Sequence, residues 1–108
     1  VNRRPFHGKP RHKFNAQRTE ANGIKFDSKK EARYYQALLI RVRAGQVLFF
    51  LRQVPIDLPG NVKYRVDFQE FHADGSVHFV DVKGMETKEF KLKKKQVEAL
   101  YPFEIEIV

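Results

Sequence analysis

Asp67, Asp81 and Lys83 have the types and spacing suited to phosphate chemistry. Lys83 lies two residues beyond Asp81, so on a strand the two share a face, roughly 6–7 Å apart. The segments around them alternate. Tyr64, Val66 and Phe68 interleave with Arg65, Asp67 and Gln69, while Val80 and Val82 interleave with Phe79, Asp81 and Lys83. Matching apolar to apolar across a hairpin sets Val66 opposite Val82 and Phe68 opposite Val80. Asp67 then faces Asp81, and Arg65 faces Lys83. This register needs a three-residue loop, Ala73-Asp74-Gly75, with Gly75 left-handed. A two-residue Asp74-Gly75 turn slips the pairing by one and turns Asp67 away from Asp81.

Carboxylates directly across a sheet have Cβ atoms about 4.5–5.5 Å apart and repel. A hard divalent cation, Mg²⁺ or Mn²⁺, gives such a pair a purpose, because it takes carboxylate oxygens and keeps its waters. Lys83 can orient or deprotonate a water, or stabilise charge on a phosphate. The bland alternative is a surface ion pair of Asp67 with Arg65 or Lys83, worth little.

Other elements must position these residues. Asn22-Gly23 predicts a small hairpin of residues 18–21 and 24–26. Ala32, Tyr35, Leu39 and Val42 recur at helical spacing, so a helix is expected over residues 28–44, with Gly45 as its C-terminal glycine. Glu31 lies on the edge shared with Tyr35, Leu38 and Val42, so it can face the sheet. Ser28-Lys29-Lys30-Glu31 equally fits a capping box, in which Glu31 reaches back to the cap amide. Residues 47–53 form a strand, which Pro55 ends or bends. Pro59-Gly60-Asn61 is a turn. Strands over residues 64–71 and 77–83 follow. A helix over about residues 87–100 carries Phe90, Val97 and Tyr101 on one face, and residues 104–108 end the chain as a strand. A strand, crossover helix, strand ending predicts that this last strand runs parallel to residues 77–82. Phe49, Phe50 and Phe68 are expected in the core. The fold class is α/β in the mixed α+β sense, a small mixed sheet flanked by helices.

The chain has 108 residues, one domain's worth, with 42% apolar residues and ten Phe, enough to fold. No cysteine is present, which excludes disulfides, Cys-ligated zinc and thiol catalysis. His7, His12, His72 and His78 suggest no zinc site, and His72 is expected opposite Ser76 rather than His78. No apolar run approaches a membrane span and no signal-like segment is seen, so a cytoplasmic location is expected. The net charge is +8, and residues 1–30 hold nine Lys/Arg against two Asp/Glu. Residues 1–17, broken by Pro5, Gly8 and Pro10, form a basic arm ahead of one domain over residues 18–108. Arg3, Arg4, Lys9, Arg11 and Lys13 there suit a polyanion. Phe6 and Phe14 suit stacking on bases or packing on the domain. Lys88, Lys91 and Lys95 fall on one side of the second helix, as DNA backbone contacts or as a solvated face. Solubility alone is the bland reading of the charge.

An acid at the end of one strand followed by acid-x-Lys on the next, here Asp67 and then Asp81-Val82-Lys83, resembles the PD-(D/E)xK nuclease superfamily. Helix, three strands, helix and final strand cover about residues 24–108 in that family's order. Residues 23–35 (GIKFDSKKEARYY), 81–84 (DVKG) and 91–95 (KLKKK) resemble small phage-encoded nucleases of this superfamily. Val66 stands where the signature has Pro. The resemblance implies a restriction-endonuclease-like core and Mg²⁺-dependent hydrolysis of DNA phosphodiesters. Asp67, Asp81 and the Val82 carbonyl would hold the metal, Glu31 a second metal or its water, and Lys83 the attacking water. Gln53 would add a polar contact to DNA. Structure-selective cutting of junctions or branches in phage recombination, replication or packaging fits a small domain without a recognition module, with a homodimer where two strands are cut. The rivals are a non-catalytic nucleic-acid-binding module and a nuclease of the same type acting on RNA.

Overall fold

The computed structural model describes residues 19–108. The arm over residues 1–17, with its candidate contacts Arg3, Arg4, Lys9, Arg11 and Lys13, lies outside the described residues. Within them, strands β1 (Thr19–Ala21) and β2 (Ile24–Phe26) form the hairpin expected at Asn22-Gly23. Both turn residues have positive φ, 52° and 77°, as a type I′ turn requires. Helix α1 (Lys29–Arg43) follows, then β3 (Val47–Leu58), β4 (Val62–His72), β5 (Val77–Asp81), helix α2 (Lys88–Leu100) and β6 (Ile105–Ile107). Strands β3 to β6 form one sheet in the order β3-β4-β5-β6, antiparallel except for the parallel β5–β6 pair. The fold is therefore mixed α+β, and the crossover through α2 yields the expected parallel strand.

The β4–β5 register is the one the apolar alternation demands. Phe68 pairs with Val80 and Phe71 with Val77, His72 N–H donates to Ser76 O at 2.9 Å, and Gly75 has φ 91°. His72 and His78 are not cross-strand partners, yet their rings stack on the diagonal, with centroids 4.0 Å apart.

Three expectations need correction. Strand β3 does not stop near Gln53 but passes through Pro55 to Leu58. It is the outer strand of the sheet, where a missing N–H breaks no ladder. Strand β5 ends at Asp81, so Val82 and Lys83 leave the β4 ladder, although Lys83 N–H still donates to Val108 O at 3.2 Å. Phe49 is not core: it is 50% exposed and stacks on Phe71. Alternate strand residues point opposite ways, and its neighbour Phe50 packs against the core instead.

The core has two clusters. Phe26, Ala32, Tyr35, Leu38, Val47, Phe68, Val80 and Val82 pack around α1. Ile56, Leu58, Tyr64, Val66, Phe90, Val97 and Ile105 pack around α2. Val66 and Phe68 belong to different clusters, so Asp67 falls at the junction of the two. Among the described residues, no helix is long and apolar enough to cross a membrane.

Candidate active site

Ser28 caps α1, its Oγ accepting from Glu31 N–H at 3.1 Å. Only this half of the capping box forms. The Glu31 carboxylate faces β3, where Gln53 Nε2 donates to it at 3.3 Å and Arg52 Nη2 lies 3.9 Å away. Gln53 has φ 53°, a left-handed conformation uncommon for a residue with a side chain. Its same amide nitrogen donates to Asp67 Oδ1 at 3.2 Å. One amide thus joins the helix acid to the strand acid.

The β4–β5 ladder closes at Phe68 and Val80. One step beyond, each aspartate satisfies a backbone donor of the other strand. Asp67 N–H donates to Asp81 Oδ1 at 2.8 Å, and Val82 N–H donates to Asp67 Oδ2 at 2.9 Å. The Tyr64 hydroxyl donates to Asp81 Oδ2. These bonds to charged acceptors fix both carboxylates where the strands part. They also offset the repulsion of two like charges.

Burial pushes the Glu31 carboxyl up to about 7, with the Asp67 charge adding to it and Arg52 opposing. Burial likewise raises Asp67, against the Val82 N–H bond, with Asp81 raising it further and Lys83 lowering it. Burial and the bond to Asp81 push Tyr64 up, so it stays a neutral donor. Two acids held above their ordinary range mark a place where burial and neighbouring carboxylates oppose negative charge.

The Lys83 ammonium sits 4.7 Å from the centroid of the Phe90 ring. Among the described residues no carboxylate lies within ion-pair distance of it. Its carbonyl accepts from Lys30 Nζ at 2.9 Å, which ties the first turn of α1 to the segment that follows β5. On α2, Lys93 and Lys94 are half-buried and pair with Glu89 and Glu98 at 3.8 and 3.0 Å. Lys88, Lys91 and Lys95 are exposed and make no such pair among the described residues.

Glu31, Asp67 and Asp81 are thus brought together, with Gln53 between the first two and the Lys83 charge acting on Asp67 from its place on Phe90. Sequence reasoning missed Arg52 and Tyr64. Arg52 precedes Gln53, so a polar pair inside an apolar strand was the available signal. Tyr64 alternates like any core residue and gave none. As they stand, no three His, Asp or Glu side chains among the described residues gather closely enough to hold a metal ion. The donor chemistry nonetheless suits a hard cation. The oxygens are carboxylate, two of the acids are raised chiefly by burial, and hydrogen bonds use two of roughly four lone-pair sites on Asp81.

No curated protein and no solved structure matches the chain. One family profile, described as protein of unknown function (DUF1064), matches residues 11–106 and so takes in all the residues that build this cluster. The chain belongs to the DUF1064 family.

Proposed function

We propose that this protein is a metal-dependent nuclease of the PD-(D/E)xK kind that hydrolyses phosphodiester bonds in DNA. The observation that carries the reading is Asp67 beside Asp81 where β4 and β5 part, with Glu31 joined to Asp67 through the Gln53 amide. A purely structural role accounts for the bonds that end the ladder. It does not account for a third, helical acid brought to the same place and held at a raised pKa.

Asp67, Asp81 and the Val82 carbonyl are the candidates to hold Mg²⁺ or Mn²⁺, with Glu31 at a second ion or through water. A bound cation of this type acidifies a water and stabilises the leaving oxygen. The chain's own groups supply the rest. Tyr64 and the Asp67 amide keep Asp81 in one orientation. Gln53 spaces Glu31 from Asp67 by donating from one amide nitrogen to both carboxylates. Lys83, resting on Phe90 rather than on a carboxylate, keeps its charge available to orient a water or a phosphate oxygen. Lys88, Lys91 and Lys95 offer phosphate contacts, and the net charge of +8 favours a polyanionic substrate.

The test is a cleavage panel with Mg²⁺ and Mn²⁺. It contains supercoiled plasmid, linear duplex, single strand, flap, four-way junction and RNA, each with EDTA and Asp81→Asn controls. Metal-dependent cutting lost in the variant is expected. The preferred substrate then defines the task, and nicking versus double cutting of plasmid separates one copy from two. Binding without cutting on every substrate overturns the reading in favour of a non-catalytic binding module.

A further inference from the structure

Arg52 lies beside Glu31, with its Nη2 3.9 Å from the carboxylate. Its guanidinium carbon lies 4.6 Å from the centroid of Phe26 and 6.0 Å from that of Tyr35. That contact with Glu31 is beyond hydrogen-bond range. A guanidinium has five N–H donors. Among the described residues none of them makes a hydrogen bond, and Nε is enclosed without a partner. The open edge is therefore the terminal Nη1 and Nη2 pair. Both cations of the site share this build. Each lies over an aromatic ring, Phe26 in the α1 cluster or Phe90 in the α2 cluster, and neither is hydrogen-bonded to a carboxylate.

A flat guanidinium held by a ring, with its forked end open, is preorganised for an acceptor with two coplanar oxygens. Glu31 does not take that place. We propose that Arg52 is a phosphate-binding residue, taking the two non-bridging oxygens of a DNA phosphodiester that lies against Glu31. The assignment rests on the nuclease reading and adds to it a second cationic contact, on the helix-acid side of the site. The competing role is packing, in which Arg52 only covers Phe26 and tempers the charge of Glu31.

Phosphate binding has a signature that packing lacks. Each phosphate contact contributes roughly 0.9 to the slope of log K against log salt. The full chain would be titrated into a labelled short duplex with Ca²⁺ in place of Mg²⁺, so that binding is measured without cutting, and melting temperature would be followed in parallel. For R52Q we expect about tenfold weaker binding and a slope shallower by about 0.9. R52K keeps the slope but loses several-fold in affinity, because an ammonium cannot fork. Wild-type affinity and slope in R52Q, with a lower melting temperature, overturn the assignment and leave the packing role. Should R52Q fail to fold, R52K decides: weakened binding at wild-type melting temperature supports the fork, and wild-type binding overturns it. The two layers separate cleanly. If the wild-type chain cuts DNA and R52Q matches it, only Arg52 is misassigned; if the wild type neither binds nor cuts, the nuclease reading falls as well.

Discussion

Glu31 is the acid whose charged form its surroundings oppose most openly. Its carboxyl moves from an ordinary 4.5 to about 7, so the folded state holds that proton more tightly than the unfolded chain. The stability it contributes is complete below 4.5 and is lost as pH rises through 7. At about 1.4 kcal/mol per unit this amounts to about 3 kcal/mol. Asp67 shifts in the same direction and adds to the trend. In EDTA, the melting temperature should fall between pH 5 and pH 8, and Glu31→Gln should flatten most of that fall. Mg²⁺ should raise the melting temperature more at pH 8 than at pH 5.5. A flat wild-type profile in EDTA would contradict the raised carboxyl. Asp81 carries a different burden, since it accepts from both the Asp67 amide and Tyr64. Asp81→Ala strands two buried donors at about 1–3 kcal/mol each, so it confuses lost chemistry with lost fold. Asp81→Asn keeps an acceptor for the amide and a donor for the Tyr64 oxygen. It should melt near wild type and still lose cleavage, whereas Asp81→Ala should melt lower.

Two local backbone features bring Glu31 and Gln53 together. The Ser28 cap fixes the first turn of α1, where Glu31 sits. Ser28→Ala should cost about 1 kcal/mol, some 4–8 °C in melting temperature for a domain of this size, and should reduce cleavage at temperatures where the chain remains folded. The second feature is the left-handed Gln53, whose strain is of order 1–3 kcal/mol. Gln53→Gly relieves the strain while removing two hydrogen bonds, whereas Gln53→Leu keeps the strain and removes the same bonds. The Leu variant should therefore melt well below the Gly variant, with both weakened in activity. Equal melting temperatures would show that the strain is not real. These features also explain what the sequence could and could not disclose. Alternation of Tyr64, Val66 and Phe68 against Val80 and Val82 sets the register, because a slip of one residue exposes every apolar side chain. Asp67 and Asp81 follow from that register alone. Ser28 and Thr87 mark their helices through local capping chemistry. The departures arise where tertiary placement decides. Phe49 is as apolar as Phe50, but lies on the uncovered face of an outer strand. Tyr64 meets Asp81 across the two strands, and Arg52 meets Phe26 only once the first hairpin has packed beside α1.

The charge of the whole chain is unevenly shared. Residues 19–108 carry fifteen Lys/Arg and thirteen Asp/Glu, so six of the eight excess charges precede them. Within the described domain, the excess is organised rather than large. Lys93 and Lys94 are taken up by α2's own acids, while Lys88, Lys91 and Lys95 are left exposed on the same helix. Phe90, in the first turn of that helix, supports Lys83, so α2 begins beside Lys83 and carries its unpaired lysines onward from there. This arrangement predicts a division of labour in DNA binding. Replacing Lys88, Lys91 and Lys95 by Gln should make the salt slope shallower by roughly 2–3, at about 0.9 per contact. Cutting at low salt should change little, because no residue touching the carboxylates is altered. Deleting residues 1–17 should weaken binding to all sequences alike and lower the slope by a further, additive amount, since the two basic regions share no residue. An unchanged slope in the triple lysine variant would make those lysines a solvated face and assign the affinity to the first 17 residues alone.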